Sequence, residues 1–353
     1  WKRTDLRDRW IIQKGNSYYF LDDTGVYKGP FVKEEGRPKA ASILAQSPDV
    51  LLWEQTARHG LRRKPLYELV EDYGQVANEV ILDLMADRSF YDAEKGLLHE
   101  AVRPIRKDIK PEFSKTFDNY LKVLAQDNYD QVCVWLACVP DPSRLLCALY
   151  LGGVKNTLKT GLAVGLAKLW HNGPPAKLEN IISNFNDALV YLCPLVLADE
   201  HIPKAWSGIN ITAELRSMLS LTQRTLTRKY LPPATLRGAI RLILAANNQS
   251  LLSSTEVLSA DDLEAVAERF LYIDTTLTAS QALARVGQDE IEKWIRHGIA
   301  AHALYLYENR TVKRGRRFWV EGDLSQMHRL LVTGSEFNSA VNQWIVAYLM
   351  DPR

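Results

Sequence analysis

One short segment limits the fold of this chain more than any other. An apolar run over residues 145–151 is followed by two glycines, a polar turn, Lys-Thr and a second, amphipathic run over residues 160–170. The first run predicts a buried strand and the second a helix. A strand that enters a helix through such a turn is the layout of a phosphate-binding loop. Later apolar strands alternate with helices, which predicts an α/β fold with a mostly parallel central sheet.

The turn itself matches the pattern G-x-x-x-x-G-K-[ST] at every fixed position except one, where Leu158 replaces the second glycine. Backbone N–H groups of such a loop bind phosphate oxygens, a lysine neutralises the β- and γ-phosphates and a hydroxyl holds Mg²⁺. If position 158 needs a positive φ, the leucine adds about 1–3 kcal/mol of strain. That strain would weaken nucleotide binding roughly tenfold or more without abolishing chemistry. The expected nucleotide-binding residues are Gly153, Asn156, Thr157, Lys159 and Thr160.

The alternative for this segment is an ordinary strand–turn–helix with a surface lysine. A second feature favours the phosphate loop: an apolar strand predicted over residues 188–198 ends in Asp199 and Glu200. In phosphate-loop ATPases one acid at such a strand end anchors Mg²⁺, and the next polarises the attacking water. We therefore expect Asp199 to bind the metal and Glu200 to act as the base. A solvated strand-end turn is the other interpretation.

A third apolar strand, predicted over residues 241–246, ends in Asn247 and Asn248. An amide at this position can donate to the γ-phosphate and accept from the attacking water. We expect Asn247 to have this role, with Asn248 as the alternative, although Asn-Asn is also a common turn. Arg269 follows further along and could be an arginine finger or could form a helix-surface salt bridge.

The ordered set of these segments resembles a superfamily 3 helicase, the AAA+ branch used by small DNA viruses, phages and plasmids. The similarity covers residues 122–274 most clearly, and "FNDALVYLCPLVLADEHIP", "ATLRGAIRLILAANN" and "RRFWVEGDLSQMH" resemble the helicase half of phage and mobile-element primase-helicases. It implies ATP and Mg²⁺ as cofactors and a homo-oligomeric ring, expected to be a hexamer. It also implies 3′ to 5′ movement on single-stranded DNA and unwinding of forked duplex during replication. Arg269 would then act on a neighbouring subunit.

The resemblance also implies a DNA contact. In superfamily 3 a basic β-hairpin lies between the acidic strand and the asparagine strand, an interval that here holds "TQRTLTRKYLPPATLRG". Lys and Arg grip phosphates without reading sequence, and an aromatic ring stacks on bases. The expected DNA-binding residues are Arg224, Arg228, Lys229 and Tyr230; the alternative is a solvated basic hairpin. A second basic patch, over residues 310–317, is either a DNA contact or a solvated turn.

Three parts are expected: a mixed α+β accessory or collar domain (residues 1–115), an AAA+ P-loop ATPase core (116–275) and a helical segment (276–353). The chain begins with Trp1, which predicts a piece of a longer protein, and the resemblance suggests an upstream primase-polymerase.

The net charge of +2 is uninformative alone. Four cysteines lie in apolar runs without zinc-ligand spacing, which predicts reduced thiols in a cytoplasmic protein. No membrane partner is expected, and the predicted location is a bacterial cell, with a phage or plasmid as a possible source.

Three other functions stay open. The first is a nucleotide-binding oligomeric scaffold that holds DNA but hydrolyses ATP poorly because of Leu158. The second is another AAA+ machine, such as an initiator or loader, which would hydrolyse ATP without displacing a strand alone. The third is a sequence-specific DNA-binding module, which would prefer one duplex site over single strands of any sequence.

Overall fold

The computed structural model describes residues 8–13, 17–22, 27–32, 53–56, 60–63, 72–182, 193–199, 217–227, 233–247, 269–315 and 318–320. The predictions made for Glu200, Arg228, Lys229, Tyr230 and Asn248 lie outside these residues. The chain divides into two compact units. The first unit comprises residues 1–104 and 225–237, and the second comprises residues 105–224 and 238–353.

The first unit contains a four-stranded sheet in the order β3-β2-β1-β6. Its strands β1, β2 and β3 form an antiparallel meander, and β6 pairs with β1 in parallel. Trp10 and Tyr19 are fully buried. A separate antiparallel hairpin joins β4 and β5. The strands are β1 (Trp10–Gln13), β2 (Ser17–Leu21), β3 (Tyr27–Val32), β4 (Trp53–Thr56), β5 (Gly60–Arg63) and β6 (Gln75–Ala77).

A five-stranded sheet in the order β13-β14-β7-β9-β8 includes the segment expected to form the basic hairpin. Strand β7 pairs in parallel with both β14 and β9, and β8 pairs with β9 in an antiparallel hairpin. Asp83 on β7 is buried and bonds to His99 at 3.1 Å and Arg237 at 3.3 Å, which links three neighbouring strands. The strands are β7 (Glu79–Asp83), β8 (Phe90–Asp92), β9 (Leu97–Ala101), β13 (Gln223–Leu226) and β14 (Ala234–Arg237).

The second unit is built on an all-parallel sheet in the order β11-β12-β15-β10-β16. Its central strands are continuous runs of buried residues, as expected for a parallel sheet covered on both faces. This confirms the mostly parallel sheet predicted from the apolar runs. The strands are β10 (Ala148–Gly153), β11 (Ala176–Lys177), β12 (Leu195–Asp199), β15 (Arg241–Ala245) and β16 (Phe270–Thr275).

Seven helices pack with this sheet in the described ranges, and all but α4 contribute to or contact one continuous hydrophobic core. They are α1 (Lys115–Ala125), α2 (Tyr129–Cys138), α3 (Lys159–Ala167), α4 (Leu178–Ile182), α5 (Leu277–Val286), α6 (Gln288–Lys293) and α7 (Ile299–Asn309). A 3₁₀ turn (Gln126–Asn128) joins α1 to α2, and a π-helical turn (Trp294–Gly298) joins α6 to α7. No helix among the described ranges is long and apolar enough to cross a bilayer.

The two units differ from the three expected parts. The first unit ends at residue 104 rather than 115 and takes up residues 225–237, and the helices after residue 275 belong to the same unit as the parallel sheet. The physical reason is the shared core, which includes Trp294, Ile299 and Ala303 together with strand residues of the sheet.

Arg241, at the start of β15, fixes this strand to the end of α2. Its side chain is fully buried and donates to the carbonyl oxygens of Cys138 at 3.0 Å and Val139 at 3.1 Å. Burial lowers the pKa of the guanidinium to about 10, so the group is still charged at neutral pH. Carbonyl oxygens at a helix C-terminus lack helical partners, and a cation there satisfies them.

Candidate active site

The phosphate-loop segment connects β10 to α3 through an unusual backbone. Gly153 has a φ of 109°, and a Cβ at this position would lie 2.5 Å from the carbonyl oxygen of Thr275, so only glycine fits. Leu158 has φ 63° and ψ 15°, in the left-handed region where the missing glycine of the motif would be unstrained. A non-glycine residue there costs about 1–2 kcal/mol.

Lys159, the first residue of α3, folds its side chain into this loop. Its Nζ donates to the carbonyl oxygens of Val154 at 2.5 Å and Gly153 at 3.3 Å. The residue is buried, and it lines the cavity that the loop borders. An anion that enters the loop would meet this charge together with the first backbone N–H groups of α3.

Thr160 and Asp199 meet although 39 residues separate them in the sequence. Thr160 Oγ1 lies 3.0 Å from Asp199 Oδ1 and donates to it. Asp199 is the last residue of β12, at the carboxyl edge of the sheet where the phosphate loop also begins. A hydroxyl and a carboxylate at this spacing are two oxygen ligands of the kind that Mg²⁺ takes, and its remaining ligands are commonly phosphate oxygens and waters. The described residues contain no cluster of three or more His, Cys, Asp or Glu that could hold a metal without such ligands.

Asn247 lies at the same carboxyl edge of the parallel sheet. It follows β15, and β15 lies between the loop strand β10 and the acidic strand β12. An open cavity of about 280 Å³ is lined by residues 155–161 with Asp199, Ala245 and Asn247. Five predicted residues besides Asn247 therefore face one cavity: Asn156, Thr157, Lys159, Thr160 and Asp199.

Arg269 is not brought to this cavity. It directly precedes β16, whose register with β10 is parallel, so it lies at the opposite edge of the sheet from the loop. Its side chain is buried, with 6% of the residue exposed, and Nε donates to Ser220 Oγ at 3.3 Å. Arg269 therefore cannot reach a nucleotide bound at its own loop. Its predicted action on a neighbouring subunit stays a prediction and requires the guanidinium to leave Ser220.

Arg224, one of the expected DNA contacts, is half-buried at the second residue of β13. Its Nη2 donates to the carbonyl oxygens of Met218 at 2.7 Å and Leu221 at 3.3 Å. These bonds hold the turn that precedes the strand. Its contact with DNA stays a prediction, and the other three expected contacts lie outside the described residues.

Two residues that the motif analysis missed hold the loop in place. Tyr120, buried on α1, donates its hydroxyl to the carbonyl oxygen of Thr157 at 2.8 Å. Thr275 Oγ1 lies 2.8 Å from the carbonyl oxygen of Gly152 and 3.3 Å from that of Val154. Thr275 is the last residue of β16, and a polar residue at the end of an apolar strand is a signal in the sequence. Tyr120 carries no sequence signal, because it lies in an amphipathic helix 37 residues before its partner.

The sheet, the loop and the cavity define an α/β protein with a P-loop-like core. No protein-family model matches the chain, and no curated protein sequence matches it. Solved structures do match. The apo C-terminal region of NrS-1 has a TM-score of 0.62 and 14% identity, covering 92% of this chain and 72% of that chain. A second apo structure, of NrS-1 residues 305–718, has the same TM-score and identity and covers 93% and 72%.

The chain therefore shares the fold of the NrS-1 C-terminal region. A JCV helicase structure matches at a TM-score of 0.37 and 16% identity, covering 62% of this chain and 58% of that chain. That likeness is too remote to carry an argument about this chain.

Proposed function

We propose that this chain is an ATP-dependent helicase of the superfamily 3 type, which assembles into a homo-oligomeric ring, a hexamer by resemblance. The ring would move 3′ to 5′ on single-stranded DNA and unwind forked duplex in phage, plasmid or mobile-element replication within a bacterial cell. The observation that carries the proposal is the contact between Thr160 and Asp199 beside Lys159. It brings the expected metal ligands and the expected phosphate-binding lysine to one cavity.

In this proposal the triphosphate of ATP occupies the cavity. Lys159 exchanges its bonds to loop carbonyl oxygens for the β- and γ-phosphates, and backbone N–H groups of the loop bind the remaining oxygens. Thr160 and Asp199 would hold Mg²⁺, which neutralises charge on the phosphates. Asn247 orients the attacking water from the neighbouring strand, and Glu200 accepts its proton.

The DNA-related part of the proposal rests on the order of the sequence motifs. Arg228, Lys229 and Tyr230 are the proposed contacts with the DNA strand, and Arg224 joins them if it releases the turn that it now holds. Arg269 is proposed to act on the nucleotide of a neighbouring subunit. By analogy with primase-helicases, we also propose that the chain works with a primase-polymerase.

The first experiment measures ATP hydrolysis with and without single-stranded DNA, alongside the oligomeric state of the sample. Lys159→Ala should reduce turnover by on the order of a hundredfold, because it removes the charge that faces the phosphates. Lys177→Ala, which changes an exposed lysine of β11 outside the cavity, is the matched control and should leave turnover unchanged. Equal turnover in wild type and Lys159→Ala would rule out this cavity as the ATPase site.

A second candidate is favoured by the left-handed backbone of Leu158: an oligomeric scaffold that binds nucleotide and DNA but hydrolyses ATP poorly. The scaffold should bind ATP with negligible turnover even when assembled on DNA. Leu158→Gly removes the strain and should then restore hydrolysis. An active wild-type assembly that displaces a strand excludes the scaffold, and one that hydrolyses ATP without displacing a strand would indicate a loader or initiator.

A further inference from the structure

We propose that Leu158 is a positioning residue that holds the phosphate loop against the π-helical turn at residues 294–298. Its side chain would set the shape of the loop before nucleotide arrives and would couple movements of that turn to the loop. The nucleotide-dependent part of this inference rests on the proposed function. In this interpretation the leucine side chain is an anchor that fixes the loop by packing. A glycine at the same position would relieve backbone strain but fix nothing.

The first observation concerns the side chain. Leu158 is half-buried and packs against the hydrophobic core of the second unit, while its backbone is left-handed. Its carbonyl oxygen accepts from the N–H of Leu162 at 2.7 Å, which closes the first turn of α3. The residue therefore begins the helix and at the same time turns its side chain into the core. A glycine could take the same φ but could make no such contact.

The second observation concerns what the side chain touches. A Cβ added to Gly161 would lie 2.6 Å from Leu158 Cδ1 and 3.2 Å from Ile295 Cδ1. Both side chains thus cover the bare backbone of Gly161. Four residues further along, a Cβ on Gly165 would lie 2.6 Å from Ile299 Cδ1. Residues four apart share one face of a helix, so α3 approaches the π-helical turn and the start of α7 along the face that carries these two glycines.

The third observation concerns the carbonyl group of Thr157, which belongs to the peptide bond that joins Thr157 to Leu158. Tyr120 donates to the carbonyl oxygen of Thr157, the residue before Leu158. Its ring lies 5.8 Å from the ring of Trp294, the first residue of the π-helical turn, at an angle of 32°. The peptide that leads into Leu158 therefore faces this turn in two places, where Tyr120 packs against Trp294 and where the side chains of Leu158 and Ile295 both lie over Gly161.

The residues held in this way lie beside the residue that is proposed to bind phosphate. The next residue is Lys159, whose ammonium would meet the phosphates, and Leu158 itself lines the cavity. Single π-helical turns inside α-helical runs are rare and occur often at functional sites. A shift of residues 294–298 would move the Thr157 carbonyl and the Leu158 side chain together, and with them the backbone N–H groups that bind phosphate.

Hydrogen exchange on the full chain without nucleotide tests the anchor directly. Leu158→Ala and Ile295→Ala should each speed the exchange of peptides covering residues 153–160, by about tenfold. The double variant should exchange no faster than Leu158→Ala, because both substitutions uncover the same backbone at Gly161. Leu158→Met keeps an apolar chain of similar length and should restore slow exchange. Leu283→Ala, on α5 in the same core, is the matched control and should leave these peptides unchanged.

Binding of ADP with Mg²⁺, measured by calorimetry, tests the consequence. Leu158→Ala and Leu158→Gly should weaken ADP binding by about five- to tenfold, whereas Leu283→Ala should not. A Leu158→Gly chain that exchanges like wild type and binds ADP as tightly or more tightly would overturn the inference and leave only a strained replacement. If wild type binds no ADP, the proposed function fails, and the exchange data alone still decide whether the anchor exists.

Discussion

The Oγ1 atom of Thr160 lies 3.0 Å from Oδ1 of Asp199, so the first turn of α3 and the last residue of β12 meet at one point. Asp199→Asn keeps the size and shape of this side chain and removes its charge. We expect Mg²⁺-dependent ATP hydrolysis to fall roughly a hundredfold, while ADP binding measured without Mg²⁺ changes little. The exposed Asp127→Asn serves as control. A variant with wild-type turnover at low Mg²⁺ would show that Asp199 does not hold the metal.

A second prediction concerns Tyr120, whose hydroxyl donates to the carbonyl oxygen of Thr157. Burial raises the pKa of this phenol, so it keeps its proton and stays a donor throughout the neutral range. Tyr120→Phe should cost about 1 kcal/mol of stability and weaken ADP binding several-fold by loosening the loop. The comparison is Tyr91→Phe, which removes an exposed bond to Val76 in the first unit. Urea unfolding and calorimetry would measure both effects, and an unchanged ADP affinity would contradict the role of Tyr120.

His302 predicts a loss of stability in acid. The backbone N–H of Ser114 donates to its Nδ1 at 3.2 Å, and Phe113 and Phe117 pack against the ring. Burial lowers the pKa of this imidazole to about 4, with Asp118 opposing the shift. The unfolded chain takes up the proton near pH 6.5 and the folded chain does not, so stability falls as the pH drops from about 6.5 to about 4, by up to about 3 kcal/mol.

Unfolding in urea at pH 7 and pH 5 would check this expectation. His302→Gln keeps an acceptor for Ser114 and should lose less stability than wild type between the two pH values. His297→Gln changes an exposed histidine of the preceding turn and should keep the wild-type difference. Equal pH dependence in wild type and His302→Gln would mean that the buried imidazole does not contribute.

Arg241 supplies a prediction for the fold. Its buried guanidinium satisfies the carbonyl oxygens of Cys138 and Val139 at the end of α2. Arg241→Met fills similar space but removes the guanidinium bond to each of these oxygens, and leaves the Cys138 oxygen with the N–H of Asp141. It should lower the free energy of unfolding by about 2–4 kcal/mol. The exposed Arg285→Met should stay within about 0.5 kcal/mol of wild type. A loss below about 1 kcal/mol for Arg241→Met would show that water replaces the guanidinium.

Three strands of the core sheet, β10, β12 and β15, could be predicted because each is an apolar run. Strands β11 and β16 have no counterpart among the predicted strands. The loop strand was expected over residues 145–151 and spans Ala148–Gly153, since Gly152 and Gly153 still pair with β16. The neighbouring positions of Thr160 and Asp199 could be predicted, because the loop after one parallel strand and the end of another meet at the same edge of the sheet. Their part in metal binding stays a prediction. The site geometry around Tyr120 could not be predicted, because its contact depends on how α1 packs and no local pattern specifies that.

The same limit applies to residues 225–237. Alternation over residues 222–231 predicts a strand, and the family resemblance implies a hairpin in this interval. Strands β13 and β14 are neighbours in one sheet. The membership of residues 225–237 in the first unit depends on the parallel register of Thr235 with Ile81 and of Leu236 with Leu82. That register joins segments more than 150 residues apart, and each strand alone would fit several partners. Long-range pairing of this kind leaves no mark in the local sequence.

The position of β15 between β10 and β12 has a consequence for synthesis on the ribosome. A nascent chain that ends after residue 199 already contains the loop and the acidic strand, but the strand that separates them is missing. Thr160 and Asp199 cannot take their final spacing until residues 241–245 have emerged and inserted. The cavity therefore forms only after this strand has been made, and a ligand of the finished cavity cannot stabilise the growing chain before that point.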